Sequence, residues 1–307
     1  MDAVLIAGPT ASGKSALALG LARRLGSAVV NADSMQVYRD LRVLTSRPTP
    51  REEEAAPHLL FGHVDGAQNH SVGRWAAEAA ALLAARRPGE PPLIFAGGTG
   101  LYFKALTDGL SAIPPVPDAI RAAVRSEVEG RPTEALHRDL SSRDPEAAGR
   151  LGPGDRQRVV RALEVWAATG RSIVSFQGSR RPGPLAGRPT VRLFLAPDRA
   201  ALRDAIDRRF VAMVEGGALD EVGRLAARRL DPALPVMRAH GVPGLLDHLR
   251  SGGGLDDAVR RGQADTRAYA KRQWTWFRHQ MEGWTSLSPA EAWARLPALA
   301  NAAARPA

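Results

Sequence analysis

Cysteine is missing altogether from this chain of 307 residues, so disulfides and thiolate metal sites are excluded. Lysine is nearly absent too. Lys14, Lys104 and Lys271 are the only three, and arginine therefore carries almost all of the formal net charge of +10. Aromatic residues make up 5% of the sequence. No apolar run approaches the roughly 20 residues that a membrane span needs. Met1-Asp2-Ala3 leads straight into an apolar run without a charged leader, and the expectation is a soluble, cytoplasmic protein. What remains is a 44% hydrophobic chain able to bury a substantial core. Its basic excess admits nucleic-acid binding without establishing it.

The strongest local signal follows Val4-Leu5-Ile6-Ala7. There Gly8-Pro9-Thr10-Ala11-Ser12-Gly13-Lys14-Ser15 fits G-x-x-x-x-G-K-[ST], in the strand, loop and helix context which that pattern requires. The glycines let backbone N–H groups converge on phosphate oxygens, the following helix adds the positive end of its dipole, and Lys14 adds a full charge. Ser15 is placed to hold a Mg²⁺ ion bridging those oxygens. Gly8–Ser15 is therefore read as a binding site for a di- or triphosphate. A glycine-rich turn that merely matches the pattern is the alternative.

β-rich runs at Val4–Ala7, Ala28–Ala32, Leu93–Ala96 and Val191–Ala196 alternate with helical patterns such as Ala16–Leu25 and Trp75–Ala85. The fold class is α/β, with a buried parallel sheet flanked by helices. Residues 111–189 break the alternation. They open on Ile113-Pro114-Pro115-Val116-Pro117, continue with helical patterns at 119–129, 133–141 and 155–169, and close on a stretch dense in Gly, Pro and Arg. This segment is read as a helical insertion domain, and 1–110 with 190–307 as the core domain. After Asp198 the pattern is helical to Gln280, with breaks near 231–235 and 241–244. The tail 298–307 is expected to fray.

Asp33, in Asn31-Ala32-Asp33-Ser34-Met35-Gln36, follows the second run, and Gly97-Gly98-Thr99-Gly100 follows the third. Carboxyl ends of strands face the ligand crevice in such sheets, so Asp33 should point toward whatever Lys14 holds, as a Mg²⁺ ligand or proton acceptor. A helix or turn cap is the competing role for Asp33, and a plain glycine turn for the second segment. Arg267, Lys271 and Arg278 fall near one face of a helical stretch, Thr266–Arg278, in which Tyr269, Trp276 and Phe277 offer aromatic surface. The 156–161 stretch is similarly basic, with Val160 and Leu163 turned inward. Such elements suit a clamped polyanion, although an amphipathic helix with solvated arginines explains each alone. His58, His63 and His70 lack metal-site spacing and are read as structural or solvated.

Taken in order, these segments resemble the tRNA dimethylallyltransferases. The resemblance rests on Gly8–Ser15, Asp33–Arg39, Ser71-Val72-Gly73, Gly97–Leu106, Asp155–Gly170, Arg209 with Met213 and Gly216, and Thr266–Arg278. It implies a phosphate-loop NTPase-like fold and transfer of a dimethylallyl group from dimethylallyl diphosphate to N6 of adenosine 37, beside the anticodon, in tRNAs reading codons that begin with U. Mg²⁺ is the implied cofactor. Lys14, Ser15 and Arg209 would then neutralise the leaving diphosphate, Asp33 would act as general base, and Thr99 would help hold adenine or donor. Contacts to the tRNA anticodon stem-loop would come from Asp33, Ser34, Met35, Gln36 and Thr99, from Arg121 and Gln157-Arg158-Val159-Val160-Arg161, and from Arg267, Lys271, Arg272 and Arg278. Such an enzyme can work as a monomer.

The chain departs from the family pattern at Thr45-Ser46-Arg47-Pro48, usually Thr-Ala-Lys-Pro, and at His58–Gly62, which keeps one of two histidines and loses an acid. Gly241-Val242-Pro243-Gly244 is a third departure. A kinase acting on a small metabolite, an isopentenyltransferase acting on free adenine nucleotides and an RNA-binding ATPase share the phosphate loop and remain the alternatives from sequence.

Overall fold

The computed structural model describes residues 1–178 and 180–304. They form two compact units, Met1–Thr107 with Pro184–Ala307 and Asp108–Gly183.

The larger unit is built on six parallel strands: β1 (Ala3–Ala7), β2 (Val29–Asn31), β3 (His58–Leu59), β4 (Leu93–Gly97), β7 (Thr190–Leu195) and β8 (Thr285–Leu287). Their spatial order is β3-β2-β4-β1-β7-β8. Every residue of β1 and β4 is buried, as expected of a sheet covered on both faces. Alternation divides them: Leu5 and Phe95 enter one apolar layer with Trp75, Phe103 and Leu245, whereas Ile6 and Ile94 enter the other with Leu17, Leu21 and Leu296. In pair register Leu5 faces Phe95, and Ala7, last in its strand, faces Gly97. The loops leaving β1 and β4 therefore emerge side by side at the carboxyl edge.

Helices α1 (Lys14–Leu25), α2 (Pro50–Ala55), α3 (Val72–Ala84) and α4 (Gly100–Thr107) connect the first strands. Between them and β7 lies the smaller unit, with α5 (Asp118–Val128), α6 (Thr133–Arg143), α7 (Pro145–Arg150) and α8 (Arg156–Thr169). Val124, Leu136, Leu140, Val159 and Leu163 form its separate core. Two short antiparallel strands, β5 (Leu110–Ser111) and β6 (Arg180–Arg181), bring its ends together. After β7 come α9 (Arg199–Met213), α10 (Leu219–Ala227), α11 (Val242–Ser251), α12 (Leu255–Gln280), α13 (Pro289–Ala294) and α14 (Leu296–Ala304). A π-turn at Val214–Ala218, bent at Gly217 with φ 98°, joins α9 to α10.

Three features differ from the sequence reading. β3 and β8 have two and three residues, too few for a periodic signal, and exist only because strands beside them supply partners. Residues 184–189 pack with the larger unit: Leu185 is fully buried in its core and donates its N–H to the Leu106 carbonyl at 2.9 Å. The tail is folded as far as it is described, because Leu296 and Ala300 close the apolar layer over α1. Residues 305–307 of that segment lie outside the described residues. Among the described residues, no helix is long and apolar enough to cross a membrane.

Candidate functional site

The phosphate loop leaves β1 at Ala7 and re-enters regular structure at Gly13, whose φ of 83° favours glycine. Ala11 also takes a positive φ, 63°. A Cβ at Gly8 would lie 2.7 Å from Ser12 Oγ, so a side chain there would displace the Ser12 hydroxyl. The Lys14 ammonium folds back and donates to the Pro9 carbonyl at 3.2 Å. From α9, the Arg209 guanidinium donates to the Thr10 hydroxyl. Burial pushes Lys14 down from 10.5 to about 8; Asp33 opposes that shift and Arg209 adds to it. Arg209 is likewise lowered by burial and supported by Asp33. Two desolvated cations beside one carboxylate make a site that gains strongly from an incoming polyanion.

Asn31 fixes the Asp33 loop: its Oδ1 accepts the Asp33 N–H at 2.8 Å, and its Nδ2 donates to the Asp33 carbonyl at 2.9 Å. The Asp33 carboxylate accepts the Met35 N–H through Oδ1 at 2.9 Å. Its Oδ2 lies beside Gly98, where an added Cβ would stand 3.4 Å away. Thr99 Oγ1 accepts the Ser34 N–H at 2.9 Å, and the Thr99 N–H donates to the Ala32 carbonyl at 3.1 Å. At Gly97 a Cβ would fall 2.0 Å from the Ala32 carbonyl oxygen, so only glycine permits this approach of the two loops. Below them, Trp75 donates to the Asn31 carbonyl at 2.9 Å and stacks on Tyr102 at 4.1 Å.

Gln273, in the middle of α12, links the loops of β1 and β4. It accepts the Thr10 N–H at 2.9 Å and donates to the Gly98 carbonyl at 2.8 Å. It was not singled out from sequence, yet a signal existed. Thr266, Ala270, Gln273 and Phe277 form the buried stripe of α12, and a lone amide on such a stripe needs partners. His240, not singled out from sequence, and Tyr269, expected there only as aromatic surface, lie ring to ring at 4.5 Å with a 40° tilt and line a pocket with Thr10, Asp33, Met35 and Arg209. Burial and then the Asp33 charge raise the Tyr269 phenol, so it remains a neutral donor beside a carboxylate. His240 is lowered by burial, with Arg272 next, and is held neutral.

The sequence-predicted residues thus separate into groups. Gly8–Ser15, Asp33, Ser34, Met35, Thr99 and Arg209 gather at one carboxyl edge. The Gln36 amide donates to the Thr45 and Ser46 carbonyls at 2.8 and 3.0 Å, a structural role. Arg267 is paired with Asp207, whereas Lys271 is exposed. Both line a groove between α9 and α12 that also holds Arg199, Arg203 and Trp274. Arg272 lies over Tyr269 at 5.7 Å, and Arg278 is exposed. Phe277 is in the core and Trp276 packs against it, so neither supplies the open stacking surface expected from sequence. Helical periodicity gave the stripe, but only packing decided which side of it was covered.

In the smaller unit Gln157 and Arg158 are exposed on α8, Val160 is half-buried, and Arg161 meets Glu164 at 3.3 Å. Arg121 pairs with Asp118 at 3.0 Å. Val159, grouped with the expected tRNA contacts, is fully buried among Leu136, Leu140 and Ala162, and its side chain is excluded from any surface contact.

Two of the three departures from the family pattern meet in space. Gly62 has a φ of 57°, and a Cβ there would lie 2.1 Å from the Arg47 guanidinium carbon. Arg47 thus occupies the volume that any side chain at position 62 would claim, and its Nη1 donates to the Tyr38 and Arg39 carbonyls.

Ser15 sits exposed in the first turn of α1, where its hydroxyl could hold Mg²⁺, an ion that keeps part of its water shell while binding one or two protein oxygens.

The family model for IPP transferase matches residues 36–280, and that for isopentenyl transferase matches residues 1–60. A tRNA dimethylallyltransferase of Methylobacterium nodulans is 67% identical over 94% of this chain and 96% of its own. That of Methylorubrum populi is 61% identical over 98% and 95%. Among solved structures, a tRNA isopentenylpyrophosphate transferase of Bacillus halodurans superposes with a TM-score of 0.69 at 30% identity, covering 98% of this chain and 96% of that one. A eukaryotic dimethylallyltransferase captured acting on tRNA superposes with a TM-score of 0.79 at 26% identity, covering 99% and 80%.

Proposed function

The chain belongs to the IPP transferase family, and on that footing we propose that it transfers a dimethylallyl group from dimethylallyl diphosphate to N6 of adenosine 37 in tRNAs reading codons that begin with U. The observation that carries this reading is the Asp33 carboxylate, which lines one pocket with Arg209 and supports the desolvated Lys14 and Arg209 cations beside it. A kinase site has no comparable need for a neutral aromatic wall of Tyr269 and His240 beside its carboxylate.

The diphosphate rests on the amides of the phosphate loop. Lys14 and Arg209 neutralise charge as the bond between the allylic carbon and the diphosphate oxygen breaks. The N6 lone pair of adenine, delocalised into the ring, attacks that carbon, and the N6 proton passes to Asp33. Thr99 holds the Asp33–Ser34 turn in place through the Ser34 N–H, so the base arrives preorganised. Tyr269 donates a hydrogen bond toward the adenine edge. Ser15 would hold Mg²⁺, which would supply further neutralisation of the leaving diphosphate. The adenine reaches this pocket only when turned out of the anticodon loop. Lys271, Arg272 and Arg278, with Gln157, Arg158 and Arg161 of the smaller unit, supply phosphate contacts.

The test is nucleoside mass spectrometry of an unmodified tRNA with adenosine 3′ to an anticodon ending in A, after incubation with protein, Mg²⁺ and dimethylallyl diphosphate. The expected product is adenosine gaining one isopentenyl unit. Modification of free adenine nucleotides in preference to tRNA would overturn the acceptor, and phosphate transfer from ATP to a small molecule would overturn the reaction.

A further inference from the structure

On the edge of the sheet away from the phosphate loop, two histidines and a glutamate converge that have no place in the prenyl transfer. His63 follows β3, His70 directly precedes the Ser71 cap of α3, and Glu78 lies two turns into that helix. His63 Nε2 stands 3.1 Å from one Glu78 carboxylate oxygen, and His70 Nε2 stands 3.2 Å from the other. The two imidazoles meet edge to face at 5.5 Å. All three ligand atoms lie within 4.8 Å of one another.

We propose that His63, His70 and Glu78 form a binding site for a divalent transition ion of the zinc class. Tetrahedral zinc with bonds of about 2.0–2.1 Å to nitrogen and oxygen separates neighbouring ligand atoms by about 3.3 Å. The 3.1 and 3.2 Å contacts run to the two different oxygens of Glu78, so one of these oxygens and the two imidazole nitrogens, within 4.8 Å of one another, close by up to about 1.5 Å to reach that spacing. Two imidazoles with one carboxylate are the donor set of an open zinc site, with water in the fourth position. Access exists, since the side chains of His63 and Glu78 are 31% and 36% exposed while that of His70 is 4% exposed. His70 Nδ1 is buried without a hydrogen-bond partner, so Glu78 is the only polar contact of that ring. Ligation through Nε2 moves the ring proton to Nδ1, a buried donor with no acceptor beside it, a cost that the bound ion must offset. Mg²⁺, which prefers oxygen ligands and octahedral geometry, does not compete for such a site.

The consequence is a staple. The ion would tie the segment from 63 to 70 onto α3, the helix that places Trp75 beneath Asn31 and the Asp33 loop. The alternative is two histidine–glutamate contacts on a partly exposed carboxylate, which contribute little. The two readings differ in one measurable quantity. The full-length protein, stripped with a chelator and returned to buffer with excess Mg²⁺, is titrated with Zn²⁺ against a chromophoric competitor. The expected result is one equivalent bound, with affinity falling roughly tenfold or more in both His63→Gln and Glu78→Gln, since even outer-shell losses reach that size. His279→Gln, outside the cluster, leaves binding unchanged. Co²⁺ in place of Zn²⁺ should give the visible bands of a low-symmetry nitrogen and oxygen site, and Zn²⁺ should raise Tm in the native protein but not in the two variants. No bound equivalent in the presence of Mg²⁺, or affinity in both variants unchanged from that of the native protein, would overturn the proposal. Circular dichroism of His63→Gln, a substitution at a half-exposed position, separates lost ligation from lost folding.

Discussion

Replacing Lys14 by Met should make the ligand-free protein more stable while removing its grip on diphosphate. Folding buries the ammonium and lowers its pKa from 10.5 to about 8, a net result that already includes the help from Asp33 and the repulsion from Arg209. At 1.36 kcal/mol per unit this penalty is about 3 kcal/mol at neutral pH. For a unit of this size that is roughly 6–12 °C in Tm. The sign also fixes the pH dependence. Between 8 and 10.5 the unfolded chain binds more protons at this site than the folded one, so native stability rises with pH across that window. The penalty is fully present below 8 and vanishes above 10.5. The advantage of Lys14→Met over the native protein should therefore be greatest at pH 7 and close by pH 10.5. Inorganic diphosphate with Mg²⁺ should raise Tm of the native protein and leave the variant nearly unmoved. Thermal unfolding of both proteins by circular dichroism from pH 7 to 10.5, with and without diphosphate, tests this. A variant no more stable than the native protein at pH 7, or a gap that stays constant across the window, would refute the argument.

Asp33→Ala should reduce prenyl transfer by about 10²–10⁴-fold, the usual contribution of a positioned base, with tRNA affinity nearly intact by filter binding. Gln273→Leu leaves the Thr10 N–H and the Gly98 carbonyl without their side-chain partner and should destabilise the protein by about 1–3 kcal/mol in urea unfolding. It should also raise KM for the prenyl donor more than it lowers kcat, because it loosens the phosphate loop. Lys271→Ala should weaken tRNA binding evenly across tRNAs and reduce the slope of log K against log salt by about one, while Arg267→Ala, whose charge is already matched by Asp207, should change that slope less.

The two basic helices illustrate why part of the site stayed hidden in the sequence. In Thr266–Arg278 the spacing of arginine and lysine was legible, but the same helix also carries Gln273, Tyr269 and Phe277, and each faces a different neighbour. Phe277 is in the core, Tyr269 is in the pocket beside Asp33, and Gln273 holds the loops of two strands together. Periodicity assigns residues to faces; what covers each face is set by segments far away in the chain. Val159 failed for a related reason, since a basic stretch was extended through an apolar position that serves the core of the smaller unit.

By itself the sequence determined the phosphate loop, the α/β alternation, the helical character of the segment it bounded at 111–189, and the candidate roles of Lys14, Asp33, Thr99 and Arg209. The loop and the alternation depend on short-range features, glycines at fixed offsets, β-branched runs and helical spacing, whereas the roles of Thr99, Arg209 and Asp33 as base came from the family resemblance. Tertiary structure alone decided that Lys14 is desolvated beside Arg209, that Gln273 joins two loops 175 residues apart from its own position at one end and 263 at the other, and that His63, His70 and Glu78 meet. Burial, charge proximity and ligand convergence are properties of three-dimensional distance. A chain order that places partners at irregular spacings does not record them.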